Sequence, residues 1–288
     1  MNSLKKKRVR LYLQRLIGNL FGGSFASYIN STHGLELDEL RQYQTGDDLR
    51  SVDWKTTSRI GRLHVRLKLV DKRATIFFII DKSRSEKFGS FYHTKEDIVA
   101  KLLSLLVYAA SETGNEIGFL AFTDRVEQYI PPKTGENEAF KNMKKVLTDE
   151  PSSHFTDINA ALTFLHKKVQ SPSLIFILSD FFAPHNYERS LKTLSYRHEV
   201  IPVIVSDKRE SCIPKARGYL TIRDVETHCN KTISTTEALN VPAPFYALLR
   251  KLTISGITIQ TDEDEGIWIK KISEFFDKRI RRGGRIKK

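Results

Sequence analysis

Residues 74–85, ATIFFIIDKSRS, constrain this chain more than any other stretch. Residues 74–80 are apolar or β-favouring without a break, and the run stops at Asp81. A short, uninterrupted apolar run reads as a strand buried on both faces, the pattern of a parallel sheet. Asp81, Ser83 and Ser85 then follow at a spacing of two. They place three oxygen-bearing side chains in one loop at the carboxyl end of a buried strand, where open α/β sheets hold their ligands. One carboxylate and two hydroxyls supply part of the oxygen shell that a hard cation such as Mg²⁺ requires, and they add little negative charge. Asp and Ser are also common turn and N-cap residues. The loop therefore gains force only if later elements bring further oxygen ligands to the same place.

They do. Thr94 is placed to cap a helix whose core face holds Ile98, Leu102, Leu105, Leu106 and Ala109. Gly114-Asn115 stops it. Strands over 117–122 and 125–130, joined at Thr123-Asp124, form an expected antiparallel hairpin, and Pro131-Pro132 breaks the chain after it. A helix over 136–147 follows. Thr156 then stands at a loop-to-helix junction, ahead of the helical run INAALTFLHKKV. LIFIL, residues 174–178, is a second fully apolar strand and ends at Ser179-Asp180. Beyond it the pattern predicts a helix over 186–196, a parallel-type strand over 200–205 and an edge strand over 219–225. A helix over 237–252, a strand over 257–261 and a helix over 268–282 complete the series. Alternating apolar strands and amphipathic helices predict an α/β fold with a doubly wound, mostly parallel sheet.

Upstream, residues 34–69 are dense in both charge signs. Gly46-Asp47-Asp48 is a turn and helix-start signal. Arg50 and Asp53 lie three apart and are expected on one helical face, with Trp54 anchoring that short helix to the body. Leu63, Val65, Leu67 and Leu69 alternate with Arg62, His64, Arg66 and Lys68, the period of a half-buried strand. The expected divisions are 1–72, an N-terminal helix with a small β-containing extension; 73–282, the α/β domain; and 283–288, a basic tail.

The net charge of +13 is unevenly placed along the 288 residues. Residues 1–18 hold six Lys or Arg and no acid, and residues 270–288 hold nine against Glu274 and Asp277. These ends account for all of it, so the neutral body argues against a specific nucleic-acid binder. The basic start and LYLQRLIGNLF are interrupted at Arg15 and are not read as a signal peptide. They read as a basic amphipathic helix that touches a membrane surface or a partner, or as a helix laid on the body. No apolar run approaches the roughly 18 residues that span a bilayer. Cys212 and Cys229 lack metal-type spacing and read as reduced thiols of a cytoplasmic protein.

Asp81, Ser83 and Ser85, then Thr156, then Asp180 form a set that resembles the metal-ion-dependent adhesion site of von Willebrand factor type A domains. The resemblance implies hydroxyl contacts to the metal from Ser83, Ser85 and Thr156. It implies direct or water-mediated contacts from Asp81 and Asp180, with one coordination position left for a partner's carboxylate. The implied ion is Mg²⁺ or Mn²⁺. The chain departs from the pattern at Phe181-Phe182, where many members have glycine.

The block LELDELRQYQTGDDLRSVDWKTTSRIGRLHVR resembles the signature of the bacterial family called domain of unknown function fifty-eight. The match falls on Glu36, Glu39, Leu40, Arg41, Tyr43, Gly46, Asp47, Asp48, Arg50, Asp53, Trp54 and Arg59. That resemblance implies a von Willebrand type A-like domain downstream, a MoxR-type AAA+ ATPase as partner and a role in maturing or assembling other proteins. The block itself reads as interlocking ion pairs and caps around Trp54. The leading expectation is a non-enzymatic scaffold whose metal engages an acidic residue of a client. The alternatives are a metal-dependent hydrolase or phosphotransfer enzyme, or an anionic-surface binder that acts at the inner face of the membrane through its basic ends. With Ser83 where a second carboxylate would stand, a two-metal mechanism has little support.

Overall fold

The computed structural model describes residues 37–43, 52–69, 74–87, 94–112, 114–182, 186–207, 219–223, 230–234 and 243–281. They fall into two units, one within residues 21–72 and one within residues 73–288. The expected N-terminal helix, the 283–288 tail, Cys212 and Cys229 lie outside the described residues.

In the first unit, β1 (Leu37–Gln42) pairs antiparallel with β2 (His64–Leu69), from Leu37 opposite Leu69 to Gln42 opposite His64. The alternation over 63–69 had marked β2. Its partner, LDELRQ, carries too much charge to announce a strand. Between them lies α1 (Trp54–Ile60). Asp53 caps it, its carboxylate accepting from the Lys55 and Thr56 amides at 3.0 and 3.2 Å and from the Thr56 hydroxyl at 3.0 Å. Gly61 ends it at φ +72°, a conformation that favours glycine. Asp53 thus precedes the helix instead of sharing a helical face with Arg50, which lies outside the described residues with Glu36, Gly46, Asp47 and Asp48. Glu39 and Arg41 fall on β1, half-buried Tyr43 follows it, and Arg59 sits in the last turn of α1, where a cation complements the helix dipole.

Trp54 corrects a further expectation. It is 66% exposed, and none of the seven residues of α1 is buried. With no buried position, α1 offers Trp54 no packed seat within its own unit.

In the second unit the chain runs β3 (Thr75–Asp81), α2 (Lys95–Ser111), β4 (Glu116–Phe122), β5 (Val126–Lys133), α3 (Glu136–Thr148) and α4 (Ile158–Lys168). It continues through β6 (Leu174–Ser179), α5 (Glu188–Arg197), β7 (Glu199–Ser206), β8 (Tyr219–Arg223) and β9 (Asn230–Ser234). It finishes with α6 (Ala243–Leu252), β10 (Ile257–Gln260) and α7 (Glu265–Arg281). Six strands form one sheet in the order β10-β7-β6-β3-β4-β5, parallel throughout except at β5. This is the doubly wound α/β fold that the sequence predicts. Its strand order reverses at β3, between neighbours β4 and β6, the position at which such sheets open a ligand crevice.

The apolar runs account for the centre. Every residue of β6 is buried, and β3 is buried from Ile76 onward. On one face, Phe77, Ile79, Ile175 and Ile177 pack beneath α4, α5 and α6. On the other, the Phe78 ring lies between Phe119 at 5.8 Å and Phe176 at 5.3 Å, three aromatic rings on three adjacent strands. Gly118 is obligatory for packing, because a Cβ there would stand 2.5 Å from the Phe77 ring.

Two local expectations change. Pro131 and Pro132 lie inside β5, which tolerates them because it is the edge strand and has an unpaired side. Residues 219–223 do not border the large sheet; they pair antiparallel with β9 in a hairpin of their own.

His198, in the turn between α5 and β7, is 1% exposed, and neither ring nitrogen has a hydrogen-bond partner. Burial, the neighbouring Arg197 charge and His166 push its pKa from 6.5 down to about 4. The folded state therefore binds fewer protons than the unfolded chain between those values, and stability falls as the pH drops through that window. Full expression of the shift is worth about 3 kcal/mol. Urea unfolding of wild type and His198→Leu at pH 7 and pH 4.5 measures it. The wild type is expected to lose more stability than the variant on acidification, since the titration of every other group is common to both.

Candidate metal centre

The parallel register sets the site. Asp81 ends β3 level with Phe122 of β4, and Ile80 pairs with Leu178 of β6, so Ser179 and Asp180 emerge beside Asp81. The Ser179 hydroxyl donates to Asp81 Oδ2 at 2.7 Å, and the Ser83 amide donates to Oδ1 at 2.9 Å. The backbone then turns through a single 3₁₀ turn, Arg84–Lys87, which brings the Ser83 and Ser85 hydroxyls to 3.0 Å from each other. The Arg84 amide donates to the His154 carbonyl, tying this loop to the one that carries Thr156. Thr156 is half-buried and immediately precedes Asp157, the N-cap of α4, which accepts from the Asn159 amide at 2.9 Å.

Glu127 holds the Thr156 loop from the other side. Its carboxylate accepts from the Ser152 amide and hydroxyl, the Ser153 amide and the Thr123 hydroxyl, at 2.6 to 3.3 Å. These bonds outweigh partial burial and keep Glu127 below the usual carboxylate range.

The structure adds two charged residues that the sequence reading missed. Glu86, one position past Ser85, is 3% exposed, and its Oε1 accepts the Asp180 amide at 3.1 Å. Carboxylate oxygens of Asp81, Glu86 and Asp180 all lie within 4.8 Å of one another, a group able to hold a metal ion. Lys95, the first residue of α2, is 0% exposed and donates to Asp180 Oδ2 at 2.6 Å. A signal was available for it: Lys95 stands three residues before Ile98 and so continues the apolar stripe of α2.

Among the described residues, three buried carboxylates face one buried ammonium, which leaves the cluster short of positive charge. Burial, and next the charge of Asp180, raise the Asp81 pKa to about 7. Burial and Asp180 likewise raise Glu86 well above its ordinary value, and Lys95 opposes them in part. Glu86 Oε2 is buried without a hydrogen-bond partner. A cluster of this kind gains from taking up protons or a cation. The donors are all oxygen, the class that Mg²⁺ and Ca²⁺ select. The residues therefore fit a hard divalent ion, with Asp81, Glu86, Asp180 and the serine hydroxyls as the side chains that would hold it.

The third loop keeps the glycine geometry without the glycine. Phe181 has φ +58°, the left-handed region that L side chains adopt at a cost. Its ring, 3% exposed, stacks on Phe245 at 4.0 Å, and this buried contact holds the turn. The Phe182 amide donates back to Asp180 Oδ1 at 3.0 Å. Phe155 and Phe182, which flank Thr156 and follow Asp180, are 51% and 38% exposed. A cleft of about 140 Å³ opens on the side of α2 and α3, lined by Asp81, Glu86, Glu96, Asp149 and Glu150 around Lys82. Lys82 Nζ donates to the Leu147 carbonyl at 2.8 Å and lies 3.5 Å from Glu96, so among the described lining residues acids outnumber this one held ammonium.

A family model described as "Protein of unknown function DUF58" matches residues 39–247. "Uncharacterized protein Mb1516" of Mycobacterium bovis is 28% identical over 259 residues, covering 86% of this chain and 80% of that one. "Uncharacterized protein YeaD" of Bacillus subtilis is 27% identical over 126 residues, 44% of this chain and 29% of that one. Among solved structures, an aerotolerance-related membrane protein from Bacteroides fragilis is similar in fold at a TM-score of 0.51 and 16% identity, over 73% of this chain and 99% of that chain. The SpRpn10 VWA domain matches at a TM-score of 0.43 and 10% identity, over 72% and 95%. No helix among the described residues is long and apolar enough to cross a membrane.

Proposed function

The chain belongs to the DUF58 family, and on that premise we propose that it is a non-enzymatic protein-binding scaffold that engages a partner's carboxylate through a divalent metal ion. The observation that carries this reading is the convergence of Asp81, Ser83, Ser85 and Asp180 at the reversal point of the sheet, next to the unpartnered oxygen of Glu86. The ion is Mg²⁺ or Mn²⁺, and Thr156 contributes a hydroxyl from the adjoining loop. The metal supplies an electrophilic position at which an outside carboxylate completes the oxygen shell.

The side chains around the site suit a docking face. An acidic cleft concentrates cations before any partner arrives. Exposed Phe182 lies 5.6 Å from the Lys95 ammonium and exposed Phe155 directly precedes Thr156, and aromatic residues are enriched at interface cores. The partner we assign is a MoxR-type AAA+ ATPase, together with a client protein that bears the acidic residue. The protein works in the cytoplasm, with its basic ends available to the inner face of the membrane.

Binding of the purified, full-length MoxR-type ATPase from the same organism to the immobilised chain tests this reading. Binding is expected in Mg²⁺, to be lost in chelator, and to fall at least about tenfold in the double variant Phe155→Ala, Phe182→Ala, because interface aromatics are frequent hot spots. Chelator-insensitive binding, unaffected by either change, would place the contact elsewhere.

A further inference from the structure

We propose that Lys95 is the resident counter-ion of this site, and that a divalent cation binds by displacing the Lys95 ammonium from Asp180. The inference rests on the metal reading above and adds to it what controls occupancy.

Lys95 stands where a lysine is least expected. The first turn of a helix favours negative charge, and a fully buried lysine is rare unless paired. Here the first turn is otherwise acidic, with Glu96 and Asp97, and the capping box of Thr94 and Asp97 fixes the helix start. That rigid start aims Lys95 inward, at 2.6 Å from Asp180, with Phe182 lying 5.6 Å from the ammonium. The neighbouring charges account for the placement: Asp81, Glu86 and Asp180 bring carboxylate oxygens within 4.8 Å of one another, and Lys95 pairs with Asp180 at 2.6 Å.

A metal ion on Asp180 would meet this ammonium at close range. Metal–oxygen distances of about 2.0–2.6 Å place the two cations within a few ångströms of each other, in a site from which water is largely excluded. Their repulsion there is far stronger than in solvent. The two cations therefore compete for Asp180, and Lys95 sets the affinity for the ion. Since Phe182 covers the ammonium and is also exposed beside the docking face, the exchange of cations moves a residue that a partner touches. Occupancy of the metal site and the shape of the docking face are thereby linked.

Calorimetric titration of the full chain with Mn²⁺ and with Mg²⁺, in wild type and Lys95→Met, tests the inference. Methionine keeps the bulk and removes the charge. The variant is expected to bind at least about tenfold more tightly than wild type, within the usual range for two coupled binding events. A second measurement keeps the test decisive if Lys95→Met folds only with metal. In the wild type, amine-labelling mass spectrometry should find Lys95 protected in chelator and labelled markedly faster in saturating Mn²⁺. If wild type and variant bind the ion equally and labelling does not respond to a bound ion, Lys95 is a structural pair and this inference falls while the metal reading stands. If neither protein binds a divalent ion, both fall.

Discussion

Phe78→Ala is expected to cost about 3–5 kcal/mol of folding stability, the range for deleting a buried aromatic side chain. Phe78 is 0% exposed and sits in β3, the strand around which the sheet order reverses. Its neighbours cannot close on the space it leaves. Phe119 and Phe176 belong to strands locked in parallel register on either side, so their rings shift little without breaking backbone hydrogen bonds. A site that cannot collapse keeps its cavity, and cavity volume is what separates costly truncations from mild ones. Urea unfolding measures the loss as a lower midpoint at unchanged slope. Phe78→Leu is expected to recover part of it. A loss below about 1 kcal/mol would mean that the three-ring stack is not the packed centre of the domain.

The sheet's centre was legible because burial on both faces writes an unbroken apolar run. LIFIL became β6 with Ser179 added at its end, and TIFFII became β3 with Asp81 added at its end. The first turn of α2 was legible through Thr94, whose side chain does cap it. Strand ends could be read as well, since polar residues after an apolar run have only one place to go. Asp81 and Asp180 meet as a result, although 98 residues separate Asp81 from its hydrogen-bonded neighbour Ser179.

What escaped had its cause in tertiary context. β1 is a charged segment that becomes a strand because β2 offers it a partner. Pro131 and Pro132 look like breakers until β5 is known to be an edge. Trp54 reads as an anchor by residue type, yet a short helix without buried positions leaves it in solvent. Phe181 occupies a left-handed position because its stacking on Phe245 compensates for the missing glycine. Lys95 and Glu86 are the clearest case. Each is an ordinary charged residue in the sequence, and only the fold places both within reach of Asp180. The metal set carried over from the von Willebrand resemblance contained neither, since that pattern does not include them.

On the reading proposed above, the oxygen cluster at the end of β3 would hold a divalent cation, with Asp81 as its keystone. Asp81 is buried and raised to about 7, so its ionised form is held at a cost that a cation would offset. Binding to the folded state alone must then stabilise it, by about 2.7 kcal/mol at a concentration 100 times the dissociation constant. Asp81→Ala removes the carboxylate that accepts from the Ser83 amide and the Ser179 hydroxyl, and the aromatic core beneath is untouched. The decisive measurement is titration calorimetry with Mg²⁺ at pH 7.5 on wild type and Asp81→Ala, with circular dichroism of both. The expected result is one divalent site in the wild type and none in a variant that keeps its α/β spectrum. Equal binding by the two folded proteins, or no binding by the wild type at millimolar Mg²⁺, would contradict the claim.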